Sequence, residues 1–190
     1  MEKQTPKSNL RGSVFSSKSV YDYSDRLLGL LISRVFLEKT ADGAAMREAA
    51  RRAGIELILP TIEAPYWREE EYRVAFTRMA EESVEGVVVG TMVENWTFRR
   101  FIIALAKEFR LPSIYPDRIF VELGGMMSCG PNTANAGRDC ARVVAGIFNG
   151  PNPANIPISQ PTKYELCFNL NTAKALGSGY RLCCWCRPTR

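Results

Sequence analysis

Apolar positions recur along this chain in two rhythms, and the alternation between them outlines its architecture. Leu27 to Ile32, closed by Ser33, is a continuous apolar run of strand length, the kind buried on both faces of a parallel sheet. Between Ala41 and Ala53 the spacing changes to that of a helix. Ala45, Met46, Ala49, Ala50 and Ala53 share one face, Arg47, Glu48, Arg51 and Arg52 share the other, and Gly54 stands where a C-terminal cap belongs. Ile55 to Leu59 is a second strand, stopped by Pro60, and the acidic run Glu69 to Glu71 suits the positive end of a following helix. That helix carries Tyr72, Ala75, Phe76, Met79 and Ala80 at the spacing of a stripe laid on a sheet. Gly86 to Gly90 is a third strand. After a loop from Thr91 to Asn95, Phe98, Ile102, Leu105, Ala106 and Phe109 repeat the helical stripe and deliver the chain to Pro112.

The stretch from Arg110 to Gly130 is the pivot of the chain. A short β run from Pro112 to Tyr115 is stopped by Pro116, and a few polar residues and the pair Gly124-Gly125 lead to a second run ending at Gly130. Strand, loop and strand, with no room for a full helix, predict a crossover here instead of another βα unit. Thr133 to Phe148 then reads as a helix with Gly137, Ala141, Val144, Ala145 and Phe148 inward. Pro151, Pro153, Pro157 and Pro161 keep a connector extended, Lys163 to Asn169 alternates like a strand, and Asn171 to Leu176 makes a short helix. Three βα units ending on a fourth strand predict the α/β class with a right-handed, doubly wound parallel sheet.

Composition changes little in this picture. With 190 residues, 46% hydrophobic and 24% charged, the chain can bury a core. Its longest apolar run, Phe101 to Ala106, is far below the roughly 18 residues of a membrane span, and the first twenty residues hold no apolar signal segment. The net charge of +5 collects at the two ends, leaving 18 bases against 19 acids between them, with no basic stripe to grip nucleic acid. Residues 1–23, rich in Ser and Lys, are expected to form a disordered leader. Six cysteines and no histidine give no workable zinc set, even with Cys183, Cys184 and Cys186 crowded together.

Candidate chemistry follows from topology. In open parallel sheets ligands bind beyond the carboxyl ends of the strands, which selects the loops Ser33 to Phe36, Thr61 to Pro65, Thr91 to Asn95, Tyr115 to Arg118, and Cys129 to Asn132. Within them Ser33, Glu94, Asn95, Tyr115, Arg118 and Asn132, with Glu122 nearby, could hold a small zwitterion, arginine taking a carboxylate and the acids an ammonium. Each has a structural alternative: Asn95 as a helix cap, Arg118 and Glu122 as an i,i+4 surface pair, Tyr115 as core. No dinucleotide fingerprint, phosphate loop, nucleophile elbow or histidine base is present, so a binding role without cofactor or catalytic residues is expected over an enzyme.

Two blocks carry a family resemblance. Leu111-Pro-Ser-Ile-Tyr-Pro-Asp-Arg-Ile-Phe-Val-Glu-Leu-Gly-Gly-Met-Met-Ser-Cys-Gly130 and the segment from Asn155 through Lys163-Tyr-Glu-Leu-Cys-Phe-Asn169 to Gly177 resemble the substrate-binding proteins of ABC transporters related to tryptophan and tyrosine uptake. The resemblance implies a type I periplasmic-binding-protein fold, with two α/β lobes, crossover segments and a ligand clamped between the lobes. It further implies a small-molecule ligand, ABC permease subunits as partners and a periplasmic or other extracytoplasmic setting; without a signal peptide the chain as written would stay cytoplasmic. On this basis residues 24–116 are expected to form one ligand-binding lobe, 117–150 a crossover strand and helix returning toward an absent first lobe, 151–177 a connector with the last strand and helix, and 178–190 an aberrant tail read out of frame. The helix at 133–148 would then lack its intended partner, leaving it to fold back on the sheet, pair with a second copy or fray. A cytoplasmic α/β sensor or interaction domain is the competing expectation.

Overall fold

The computed structural model describes residues 26–60, 68–150, 156 and 164–177. The leader, the loop at 61–65, nearly all of the proline-spaced connector and the tail lie outside the described residues. Among the described residues six strands form one sheet in the order β2-β1-β3-β4-β5-β6. These are β1 (Arg26–Leu31), β2 (Ile55–Ile58), β3 (Gly86–Val89), β4 (Ser113–Tyr115), β5 (Met127–Pro131) and β6 (Tyr164–Phe168). All neighbours run parallel except β5 and β6. The α/β class and the doubly wound, mostly parallel sheet are as expected.

Among the described residues the helices are α1 (Arg34–Lys39), α2 (Ala41–Arg52), α3 (Glu69–Glu81), α4 (Val93–Thr97), α5 (Arg99–Glu108), α6 (Arg118–Glu122), α7 (Thr133–Phe148) and, after the last strand, α8 (Leu170–Ala175). The main core lies on one face of the sheet, where Leu31, Val87, Val89 and Tyr115 meet Tyr72, Phe76 and Met79 of α3, Ile102 and Leu105 of α5, and Phe120 of α6. Gly29 lets α3 approach, since a Cβ there would meet the Met79 side chain 2.1 Å away. A smaller cluster on the opposite face joins Leu30, Ile32 and Leu37 with Met46, Leu57 and Val88 under α1 and α2. Helices therefore lie on both faces, which is why β1 and β3 read as unbroken apolar runs and not as alternating ones.

Two local expectations are corrected. The pivot is a compressed βα unit and not a loop crossover: α6 fits between β4 and β5, which pair parallel with Ile114 opposite Met127. Asp117 makes so short a helix possible by accepting a 2.9 Å hydrogen bond from the Ile119 N–H at its N-cap. The stretch from Thr91 to Asn95 is likewise partly helical, because α4 begins at Val93. Gly54, with φ of +66°, occupies the left-handed C-cap position assigned to it. Among the described residues no helix is long and apolar enough to cross a membrane.

Candidate functional site

Parallel strands bring their carboxyl ends to one edge of the sheet, and the loops there form two groups. The first surrounds β1 and β3. Ser33 caps α1 by accepting from the Phe36 N–H at 3.3 Å, and its own N–H approaches the Met92 sulfur at 3.0 Å. Asn95 is completely buried. Its amide donates to the carbonyls of Leu31 (3.1 Å) and Gly90 (2.9 Å), and its oxygen accepts from the Tyr72 hydroxyl at 2.8 Å. Asn95 thus ties together the ends of β1 and β3 and the start of α3, and every polar atom of its side chain is engaged. Glu94, half-buried beside it, joins burial in pushing the Tyr72 phenol well above its usual range, burial being the larger cause.

The second group, around β4 and β5, forms a cleft of about 500 Å³. Trp96, Asp117, Arg118, Asn132, Thr133 and Glu165 all line it. Beside it the end of β5 and the loop after β4 meet closely, since a Cβ on Gly130 would fall 1.9 Å from the Pro116 carbonyl oxygen. Asp117 braces both sides, capping α6 with one oxygen while the other accepts from the Thr133 hydroxyl at 3.1 Å. Asn132 caps α7 by accepting from the Asn135 N–H at 2.9 Å, and its amide donates to Glu165 across the β5–β6 pair at 2.5 Å. Trp96 rests edge-on against Phe120, ring centroids 5.6 Å apart, so one aromatic wall of the cleft is fixed by the core. Arg118 is exposed and held by Glu122 at 2.9 Å, which keeps the guanidinium firmly charged. Asp117, Glu122 and Glu165 against Arg118 leave the lining net acidic, an arrangement that attracts an ammonium more readily than a second carboxylate.

Of the residues selected from the sequence, Arg118 and Asn132 line this cleft, Ser33, Glu94 and Asn95 belong to the neighbouring strand ends, and Tyr115 is in the core. Tyr115 stacks on Phe120 at 5.0 Å and accepts from the Ser113 hydroxyl at 2.9 Å. Trp96, Asp117, Thr133 and Glu165 were not singled out. Asp117 carried a readable signal, an Asp directly after a strand-stopping proline and two residues before an apolar run; Glu165 carried none, since its place depends on the antiparallel register that sets it opposite Gly130.

Burial pushes the Tyr115 phenol up to about 12, against the lowering effect of the Ser113 hydrogen bond. A folded value above the unfolded one of about 10 means that this contribution to stability is complete below pH 10 and lost as pH rises toward 12. The urea midpoint is therefore expected to hold steady to about pH 10 and fall above it. Tyr115→Phe should remove part of the fall and Tyr72 should account for more, whereas an identical decline in the Tyr115→Phe protein would show that the phenol is not responsible.

The family model described as ABC transporter substrate binding protein matches residues 29–181. The chain belongs to that family. Among solved structures it is similar to the ABC domain in complex with L-Trp from Streptococcus pneumonia, at 17% identity and a TM-score of 0.64, over 80% of this chain and 51% of that one. It is also similar to a conserved domain protein from Vibrio cholerae, at 20% identity and a TM-score of 0.65, over 80% of this chain and 50% of the other. A third, a ligand-free, open substrate binding protein with adhesive properties from Clostridium difficile, gives 16% identity and a TM-score of 0.58 over 85% and 53% of the two chains. These likenesses establish the fold, and the chain spans about half the length of each. No curated protein matches the sequence.

Proposed function

We propose that this chain supplies one wall of a solute-binding cleft in an ABC import system, capturing a small organic solute without transforming it. The cleft at the ends of β4 and β5 carries the reading: a fixed Trp96 face beside the carboxylates of Asp117 and Glu165, in a chain of the substrate-binding family. An ammonium group would sit on the acids and a flat apolar group on the indole, with Arg118 and Asn132 at the rim; an aromatic amino acid has both parts. The family setting favours delivery to permease subunits outside the cytoplasm.

Tight sites bury most of their ligand, and a single open wall cannot. Tryptophan, tyrosine and phenylalanine are therefore expected to bind the isolated chain only at roughly millimolar strength, about −4 kcal/mol. Calorimetry together with the Trp96 indole N–H signal in NMR checks this. A shift of that signal, weakened in Asp117→Asn, is the expected result. Submicromolar binding would overturn the single-wall reading, and a Trp96 signal that stays still at saturating amino acid would overturn the cleft itself.

A further inference from the structure

Two apolar surfaces in this fold remain uncovered by any described element. The first is α7. None of its 16 residues is buried, so the inward face expected of Gly137, Ala141, Val144, Ala145 and Phe148 is corrected: Val143, Val144, Ile147 and Phe148 are exposed, Phe148 by 84%. Its charges lie off this stripe, Arg142 paired with Asp139 and Arg138 donating to the Asn135 side-chain oxygen. The second surface is half of one sheet face. Strand register places Val88, Ile114, Met127 and Phe168 in a row on the side opposite the main core. Cys129 with Leu166, and Pro131 with Tyr164, extend that side toward the carboxyl edge of β5. Helices α1 and α2 cover Val88 and the β1–β2 half, while under β4 to β6 Ile114 and Met127 are half-buried and Leu166 and Tyr164 are 47% and 68% exposed. These rungs contain no charged side chain.

We propose that two copies of the chain pair by exchanging α7, each laying its helix on the open β4–β6 face of the other. The helix is pinned at its start, by Asn132 to Glu165 and by Thr133 to Asp117, in a direction that keeps its stripe off its own sheet. Both surfaces are apolar and uncharged, so each suits the other better than it suits water. Every copy has one helix and one face, so a twofold pair satisfies all four surfaces and leaves nothing to propagate a filament. Phe148 and Tyr164, the two most exposed aromatic rings of these surfaces, are of a type that buries about 150–250 Å² each. Counted in both copies, and with the half-exposed Val144 and Leu166 beside them, they bring the contact to the about 1,200 Å² at the lower end of stable interfaces.

Light scattering on the full chain at micromolar concentration tests this, using Val144→Asp on the helix and Leu166→Asp on the sheet. Both positions are exposed, so each variant is expected to keep the wild-type circular dichroism. The wild type is expected at twice the chain mass and each variant alone at the chain mass. An equimolar mixture of the two variants should partly recover the pair, because one helix and one face remain intact between them. A monomeric wild type overturns the proposal. So does a dimer that survives Leu166→Asp, which would mean helix against helix, or one that survives Val144→Asp, which would mean sheet against sheet or another surface.

Discussion

Asn95→Leu is expected to destabilise the protein by about 3 kcal/mol in urea unfolding. The substitution keeps roughly the same volume but removes three buried hydrogen bonds, to Leu31, Gly90 and Tyr72, each contributing about 0.5–1.5 kcal/mol net. The two carbonyls retain a backbone donor, Gly90 N–H for Leu31 and Met92 N–H for Gly90, so neither is orphaned. The loss is therefore that of the three bonds themselves, in a site where both Asn95 and Tyr72 are fully buried. Tyr72→Phe should cost less on its own, since it removes one bond and leaves the amide with its two carbonyls. In the double variant Tyr72→Phe with Asn95→Leu the losses should be less than additive, because each single variant already loses the Tyr72–Asn95 bond. If Asn95→Leu instead loses under about 1 kcal/mol while abolishing the amino-acid response of Trp96, the residue serves the ligand and not the strand ends.

The Asn95 network shows what a sequence can reveal here and what it cannot. The strands and long helices were legible because burial on a parallel sheet imposes a period that survives in the residue types: β1 and β3 as apolar runs, α3 and α5 as stripes. α7 matches its expected span, because Asn132 and Asn149-Gly150 bracket a clean helical repeat. The short elements α1, α4 and α6 were not legible, since five or six residues hold too little of a 3.6-residue period and depend on a single cap such as Asp117. The loops of the site were legible as a set from the strand order. Which side chains converge was not. Arg118 and Asn132 line the cleft, yet Asn95 is buried in the core while Trp96, the next residue, lines the cavity. Neighbours in sequence on a helix lie about 100° apart, so a short shift in phase exchanges a cleft-lining residue for a core one.

Gly130→Ala is expected to cost about 3 kcal/mol and to open the cleft, although it adds only one methyl group. The new Cβ would lie 1.9 Å from the Pro116 carbonyl oxygen and 3.1 Å from its carbon, and neither can rotate away as a side chain would. The end of β5 must therefore separate from the loop after β4, which strains the Ile114–Met127 and Tyr115–Ser128 pairing and pulls Thr133 from Asp117. Overpacking of this kind typically costs about 1–3 kcal/mol, and here no soft neighbour is available to absorb it. Gly146→Ala is the matched control. That glycine lies in α7 with nothing within 4 Å of its Cβ position, so the same added methyl should stabilise the helix, by about 0.5–1 kcal/mol. Opposite signs from one chemical change would place the constraint at the meeting of the β4 and β5 loops. A Gly130→Ala protein as stable as the parent, with its Trp96 response to amino acids unchanged, would mean that these loops do not approach as closely as the cleft requires.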